Sequence, residues 1–220
     1  MGKPVLHFWG GYKMKMHTLH YILAYHGLQG EVDVVGDIPA PAPFGDGVAW
    51  AAYAPKGPTG SLPCMVTAGG AILGESMAIV RYVCRHLKLD TALSDEDFAQ
   101  SEYLLETTNE VYLALNKAHY SPGGRTEAMD ALFKPGGMVH KLLASLDARV
   151  GPAGWLGPQG VPTPGDLALC AALHILAGLQ PDVLDAHPKV KARYDAVHAI
   201  ESIAHVNRTY PALYHKRTSD

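Results

Sequence analysis

Residues 60–87, GSLPCMVTAGGAILGESMAIVRYVCRHL, constrain the fold more than any other part of the chain, because their hydrophobic period switches once from that of a strand to that of a helix. Met65-Val66 and Ala71-Ile72-Leu73 have strand composition. The Gly69-Gly70 pair between them supplies the positive φ that a tight hairpin demands. A Leu62-Pro63 step leads into the first strand. After Gly74 the pattern turns helical, with Met77, Val80, Cys84 and Leu87 on one stripe. Glu75 and Ser76 open that helix, so an acid and a hydroxyl stand where helix N–H groups have no intrahelical partner and face whatever binds there.

The other segments give this unit its neighbours. Val5-Leu6-His7-Phe8 reads as a short strand, and after the Gly10-Gly11 break a helix is expected with Met16, Leu19, Leu23 and His26 on one face and Gly27 closing it. Residues 31–35, EVDVV, alternate as a half-buried strand, which makes a β-α-β unit with parallel strands and a right-handed crossover. Residues 37–58 are rich in Pro, Gly and Ala and predict an irregular segment over the surface. A polar, acidic change of composition follows Leu89, where Ser94 and Asp97 have capping-box spacing. It marks a boundary between a first domain at 1–85 and a second at 91–220.

The second domain reads as helical throughout. A helix is expected over 95–119, with Phe98, Leu105, Tyr112 and Leu115 buried and Asn109, Glu110 and Lys117 exposed, ended by Pro122-Gly123-Gly124. Residues 138–150 form a second amphipathic helix through Val139, Leu142, Leu143 and Leu146, stopped at Gly151-Pro152. At 163–166, Thr163 is an N-cap, Pro164 suits the first helical position and Asp166 can accept the Thr163 backbone N–H. The run that follows, to about Gly178, is apolar on nearly every face and predicts the buried central helix. HPKVKARYDAVHAIESIAHV supplies a helix start, a charged face and a short final helix.

Charge and cysteine content narrow the partners. A net charge of −3 with no Lys/Arg run gives no electrostatic footprint for nucleic acid or an anionic membrane surface. Three cysteines, Cys64, Cys84 and Cys170, stand far apart without a C-x-x-C, so neither a disulfide framework nor a zinc site is implied, and a reducing, cytoplasmic setting suits them. The N-terminus lacks the apolar core of a signal peptide, and no run is long enough to span a bilayer. The twelve histidines show no metal-ligand spacing such as H-E-x-x-H and read as surface or helix-face residues.

The pieces LP…ESMAIVRYV and TPGDLAL together make the sequence resemble the cytosolic glutathione S-transferases along its whole length, with a sigma-like look in ESMAIVRYV. The resemblance implies an α+β fold: an N-terminal thioredoxin-like domain, with a four-stranded mixed sheet and helices, followed by a C-terminal all-α domain that forms the electrophile pocket. It implies that Pro63 is cis, that Leu62 hydrogen-bonds the cysteinyl backbone of glutathione, and that Glu75 and Ser76 hold the γ-glutamyl end. Trp50 and Lys56 stand about where the family places donors to the glycine carboxylate; each is otherwise a loop anchor and a solvated charge. Asp166 would be a folding residue. The partners implied are glutathione as co-substrate, a small hydrophobic electrophile and a second copy of the chain. In that homodimer Glu110 would reach the partner's γ-glutamyl ammonium.

Conjugation needs a thiolate from a thiol whose ordinary pKa lies near 8.5, and a hydroxyl that donates to the sulfur is the family's usual device. Here the position is open. Tyr12 is the hydroxyl residue of the loop before the first helix, where the helix N-terminus and the flanking lysines would also favour a thiolate. His7 is the second candidate, and Phe8 at the strand end is compatible with no catalytic side chain at all. The functions compatible with the resemblance are a detoxifying transferase acting on hydrophobic electrophiles, a glutathione-dependent isomerase or dehalogenase, and a non-catalytic binding or structural member. The electrophile pocket would draw on side chains such as Tyr103, Tyr112 and Tyr214.

Overall fold

A computed structural model describes residues 2–9, 12–38, 62–151, 161–210 and 212–213. The expectations placed on Gly10-Gly11, Trp50, Lys56 and Tyr214, and on residues 39–58, lie outside the described residues. So does the Tyr12 side chain, although its backbone is described.

Four strands form the main sheet: β1 (Val5–Trp9), β3 (Asp33–Ile38), β4 (Cys64–Val66) and β5 (Ile72–Leu73), in the order β3-β1-β4-β5. β1 runs parallel to β3 and antiparallel to β4, with Leu6 opposite Val34 and Met65. α1 (His17–Tyr25) makes the crossover between the parallel strands, and α2 (Ser76–His86) follows the β4-β5 hairpin. The sheet is therefore mixed and thioredoxin-like. At the hairpin only Gly70 takes a positive φ, of 86°, and Thr67 closes the turn by accepting at Oγ1 from Ala71 N.

The remaining helices are α3 (Asp95–His119), α4 (Arg125–Phe133), α5 (Met138–Arg149), α6 (Pro164–Leu179), α7 (Pro188–His198) and α8 (Glu201–Thr209). A further short strand, β6 (Ala212–Leu213), pairs in parallel with β2 (Tyr12–Lys13), the two-residue strand that leads from β1 toward α1. α6 is the central helix, with twelve of its residues buried. Thr163 and Asp166 cap it reciprocally, Asp166 Oδ2 accepting from Thr163 N at 2.9 Å. It packs against α3 and α1. Gly165 permits the α3 contact, since a Cβ there would lie 2.2 Å from the Ser101 carbonyl oxygen. Arg81 of α2 joins the sheet region to α3 through Glu102, at 2.6 Å, and Glu106.

Several sequence expectations change under tertiary packing. β3 begins two residues later than expected, after a 3-10 turn at Gln29–Glu31, and runs through Asp37 to Ile38. His26 is exposed as the α1 cap, while His17, Thr18, Tyr21, Ile22 and Ala24 join the buried set, because α6 and α8 pack on α1. α2 is likewise wider in its buried face, with Ile79 and Val83 added. Phe98 is 42% exposed, near the α3 N-terminus. α4 was unforeseen: Gly124, at φ 122°, ends the turn after α3 and starts a new helix.

Candidate functional site

A cleft of about 190 Å³ opens at the junction of β1, the loop before α1, the Leu62-Pro63 step, the α2 N-terminus and α3. Phe8, Met14, Lys15, Leu62, Pro63, Glu75, Ser76 and Asn116 line it. The Leu62-Pro63 peptide bond is cis. Four of the sequence's candidates, Leu62, Pro63, Glu75 and Ser76, are thus brought to one cavity although a hairpin separates the first pair from the second.

Glu75 has φ 62° and ψ 117°, an uncommon conformation for a residue with a side chain, and it stands at the N-cap of α2. Its carbonyl accepts the Ile79 N–H at 3.0 Å, so the turn is tied into the helix while Glu75 itself remains exposed and Ser76 is buried. Among the described residues no side chain caps this end. The helix therefore presents N–H groups and the positive end of its dipole beside the Ser76 hydroxyl, which suits a carboxylate, while the Glu75 carboxylate suits a cation. An α-amino acid terminus carries both charges on one carbon.

The opposite wall is cationic. Burial lowers the pKa of Lys15, and the Glu75 carboxylate opposes that shift. Burial alone lowers that of Lys13. Phe8 contributes an apolar ring, 3% exposed, because strand alternation sets it on the face of Leu6. His7 points to the other face of β1 and is not among the described lining residues. Glu110 lies exposed on α3, also outside the cleft. Tyr103 is exposed with the Arg149 guanidinium 4.6 Å over its ring, and Tyr112 is wholly buried beside Thr18, so neither lines this cleft. Asn116 was missed: it comes from the last turn of α3, and only the packing of that helix beside α2 brings it to the same cleft as Glu75 and Ser76. Lys15 had a signal, as a charge beside the helix start.

Residues 16–86 match the family model described as the glutathione S-transferase N-terminal domain. No curated protein matches the sequence. Among solved structures, rat hPGDS complexed with a quinoline is 20% identical and superposes with a TM-score of 0.75 over 93% of this chain and 95% of its own. The pi-class glutathione S-transferase of Onchocerca volvulus is 16% identical, with a TM-score of 0.75 over 96% and 94%. The monomeric glutathione S-transferase Na-GST-3 of the hookworm Necator americanus is 18% identical, with a TM-score of 0.77 over 96% and 98%. At these identities the likeness is one of fold.

Proposed function

We propose that the chain, whose residues 16–86 match the glutathione S-transferase N-terminal domain and whose fold is that of the glutathione transferases, is a member of the cytosolic glutathione transferase superfamily that binds glutathione in this cleft and transfers its sulfur to hydrophobic electrophiles. The observation that carries the reading is the meeting of the cis Leu62-Pro63 step with Glu75 and Ser76 at an uncapped helix N-terminus. Ser76 and the α2 N–H groups would take the γ-glutamyl carboxylate, Glu75 the ammonium and the Leu62 backbone the cysteinyl amide. Trp50 and Lys56 would meet the glycine carboxylate, and Glu110 of a second copy would complete the ammonium site.

The thiol end of the tripeptide would lie toward Phe8, Met14 and Lys15. Loss of its proton to solvent leaves a thiolate whose sulfur attacks an electrophilic carbon and expels, for an aryl halide, the halide ion. The Tyr12 hydroxyl is proposed as the donor to that sulfur, with Lys15 adding a fixed positive charge; an opposite charge within a few ångströms lowers an acid's pKa by about 1–3 units. Calorimetric titration with glutathione and an aryl halide assay test this directly. Tyr12→Phe should lower kcat by about 10²-fold with binding kept. An unchanged rate would move the role to His7, Lys15 or backbone N–H groups.

Phe8 favours a second reading, since no described β1 side chain in the cleft can donate to sulfur. Tight glutathione binding without conjugation would identify a specialised isomerase or a binding protein. A homodimer is also proposed, with the Necator protein a monomeric member of the same fold. Light scattering that finds only a 23.6 kDa species at micromolar concentration would refute it.

A further inference from the structure

Behind the cleft, four helices bring together polar side chains from distant parts of the sequence. His17 and Tyr21 stand one turn apart on α1. Asn207 of α8 reaches both, with its Oδ1 position 2.9 Å from His17 Nε2 and 2.8 Å from Tyr21 Oη. Tyr21 Oη is also 2.7 Å from His198 Nε2 of α7, and His198 Nδ1 donates to the Tyr194 carbonyl at 2.6 Å. His174 of α6 stacks on His198 at 4.9 Å and lies 3.1 Å, through Nδ1, from Tyr194 Oη. Among the described residues no group of three or more His, Cys, Asp or Glu could hold a metal ion.

Proton counting gives the bonds among Asn207, Tyr21, His198 and His17 Nε2 two consistent arrangements, while His17 Nδ1 is buried without a partner among the described residues. A carbonyl only accepts, so His198 Nδ1 always carries a proton. With His198 neutral, its Nε2 accepts from Tyr21, and the Asn207 amide must turn its NH₂ toward Tyr21 Oη and His17 Nε2. With His198 protonated, Nε2 donates to Tyr21, Tyr21 donates to the Asn207 carbonyl, and His17 Nε2–H donates to that same oxygen. Amide nitrogen and oxygen are close to isosteric, so a flip of Asn207 converts one state into the other.

The same segment holds the cleft rim. His17 N donates to the Met14 carbonyl at 2.8 Å, which ties the first turn of α1 to Met14 and Lys15 of the lining. Tyr210, just after α8, stacks on His20 at 4.5 Å, and β6, two residues on, pairs with β2. We propose that Asn207 is a positioning residue of the glutathione cleft: through His17 and Tyr21 it fixes the start of α1 and the Met14-Lys15 rim, and it does so in two hydrogen-bond states that differ by one proton. The proposal rests on the glutathione reading for the identity of the cleft, though not for the network.

The groups facing the network are Lys13 from β2, His20 from α1, Tyr112 from α3, Cys170 and His174 from α6, Tyr194 and Asp195 from α7, and Tyr210. Burial lowers the pKa of His17 and of His198, and Lys13 adds to both shifts, while Asn207 opposes the first, and the Tyr194 carbonyl and Asp195 oppose the second.

The test uses S-methylglutathione, which has no thiol to titrate, with calorimetry and hydrogen exchange on the wild type, Asn207→Leu and Asn207→Asp. Asn207→Leu should weaken binding about tenfold at pH 7.5 and expose amides of α1, α8 and β6 to exchange. Asn207→Asp keeps only the acceptor, so it should be weakened at about pH 7.5 and recover toward wild type as the pH is lowered to about 5.5, because acid shifts the network toward its protonated state. Equal Asn207→Asp to wild-type ratios at the two pH values, or Asn207→Leu with wild-type affinity and exchange, overturn the proposal. Should Asn207→Leu fail to fold, the Asn207→Asp ratio decides. A wild type that binds no S-methylglutathione refutes the glutathione reading instead, and exchange protection of α1 in Asn207→Asp, restored at the lower pH or not, then decides for or against the network.

Discussion

Acid should unfold this protein through its histidines before its carboxylates titrate. Burial lowers the pKa of His174 to about 3, with Lys13 and His198 adding to the shift, and that of His20 to about 4. Both start from 6.5 in the unfolded chain. Since the folded value is the lower one, the unfolded chain binds more protons below 6.5, and stability present above that pH is lost as pH falls toward the folded pKa. Each pH unit costs about 1.4 kcal/mol per histidine, so between 6.5 and 5 each removes about 2 kcal/mol and the pair about 4. Domains of this size have about 5–15 kcal/mol in all, so the loss is a large fraction. Ordinary carboxylates, near 4, are still charged at pH 5 and contribute little over the window.

Urea unfolding followed by far-ultraviolet circular dichroism at several pH values between 7.5 and 5 measures the effect. The midpoint should fall with an unchanged denaturant slope, because the native contacts are the same and only proton uptake differs. His20→Phe keeps a ring against Tyr210 and removes one titrating site, so it should flatten the dependence by about 1.4 kcal/mol per pH unit. A free energy of unfolding constant from pH 7.5 to 5 would refute the reasoning, as would a His20→Phe profile parallel to wild type.

Three further outcomes are expected. Ser76→Ala should weaken glutathione binding about tenfold or more by calorimetry, because a hydrogen bond to a charged group contributes about 1.5–3 kcal/mol. Lys15→Met should raise the pKa of bound glutathione's thiol, read from thiolate absorbance against pH, with the carboxylate contacts of α2 intact; an unmoved titration would remove Lys15 from the sulfur site. Gly165→Ala should destabilise the fold by several times the ordinary Gly→Ala change, since the added methyl meets the Ser101 carbonyl backbone and not a flexible side-chain end. A melting temperature at or above wild type would show that α6 and α3 can separate there.

What the sequence made legible was what is local. The α6 capping box lies within four residues, and the hairpin, the Glu75-Ser76 helix start and the span of α3 each follow from a contiguous pattern. Burial was less legible wherever two sides of a helix are covered, as at α1, whose polar His17 and Thr18 are buried because α6 and α8 lie over them. The histidines show the limit most clearly. His17 and Asn207 are separated by 190 residues, and Tyr21 and His198 by 177, so no search of linear spacing could have brought them together. The packing of α6 and α8 on α1 supplies that information.

The cleft divides along the same line. Its Glu75-Ser76 end is built from a short segment that folds on itself, so these two lining residues could be named before any tertiary contact was known. Its opposite end is built where β1, the loop before α1 and α3 converge, and the alternation of β1 decides which of that strand's side chains enter. Leu6 and Phe8 share a face, which turns His7 away from the cavity and leaves a ring with no proton to give. On the proposed function, the donor to sulfur would come from the loop that ends in Met14 and Lys15. That loop is contacted from the far end of the sequence, by β6 on β2 and by Asn207 on His17 in the first turn of α1. On the proposed function the thiolate side of the reaction would therefore depend on α8, and Asn207→Leu should lower kcat with an aryl halide as well as weaken binding of the tripeptide.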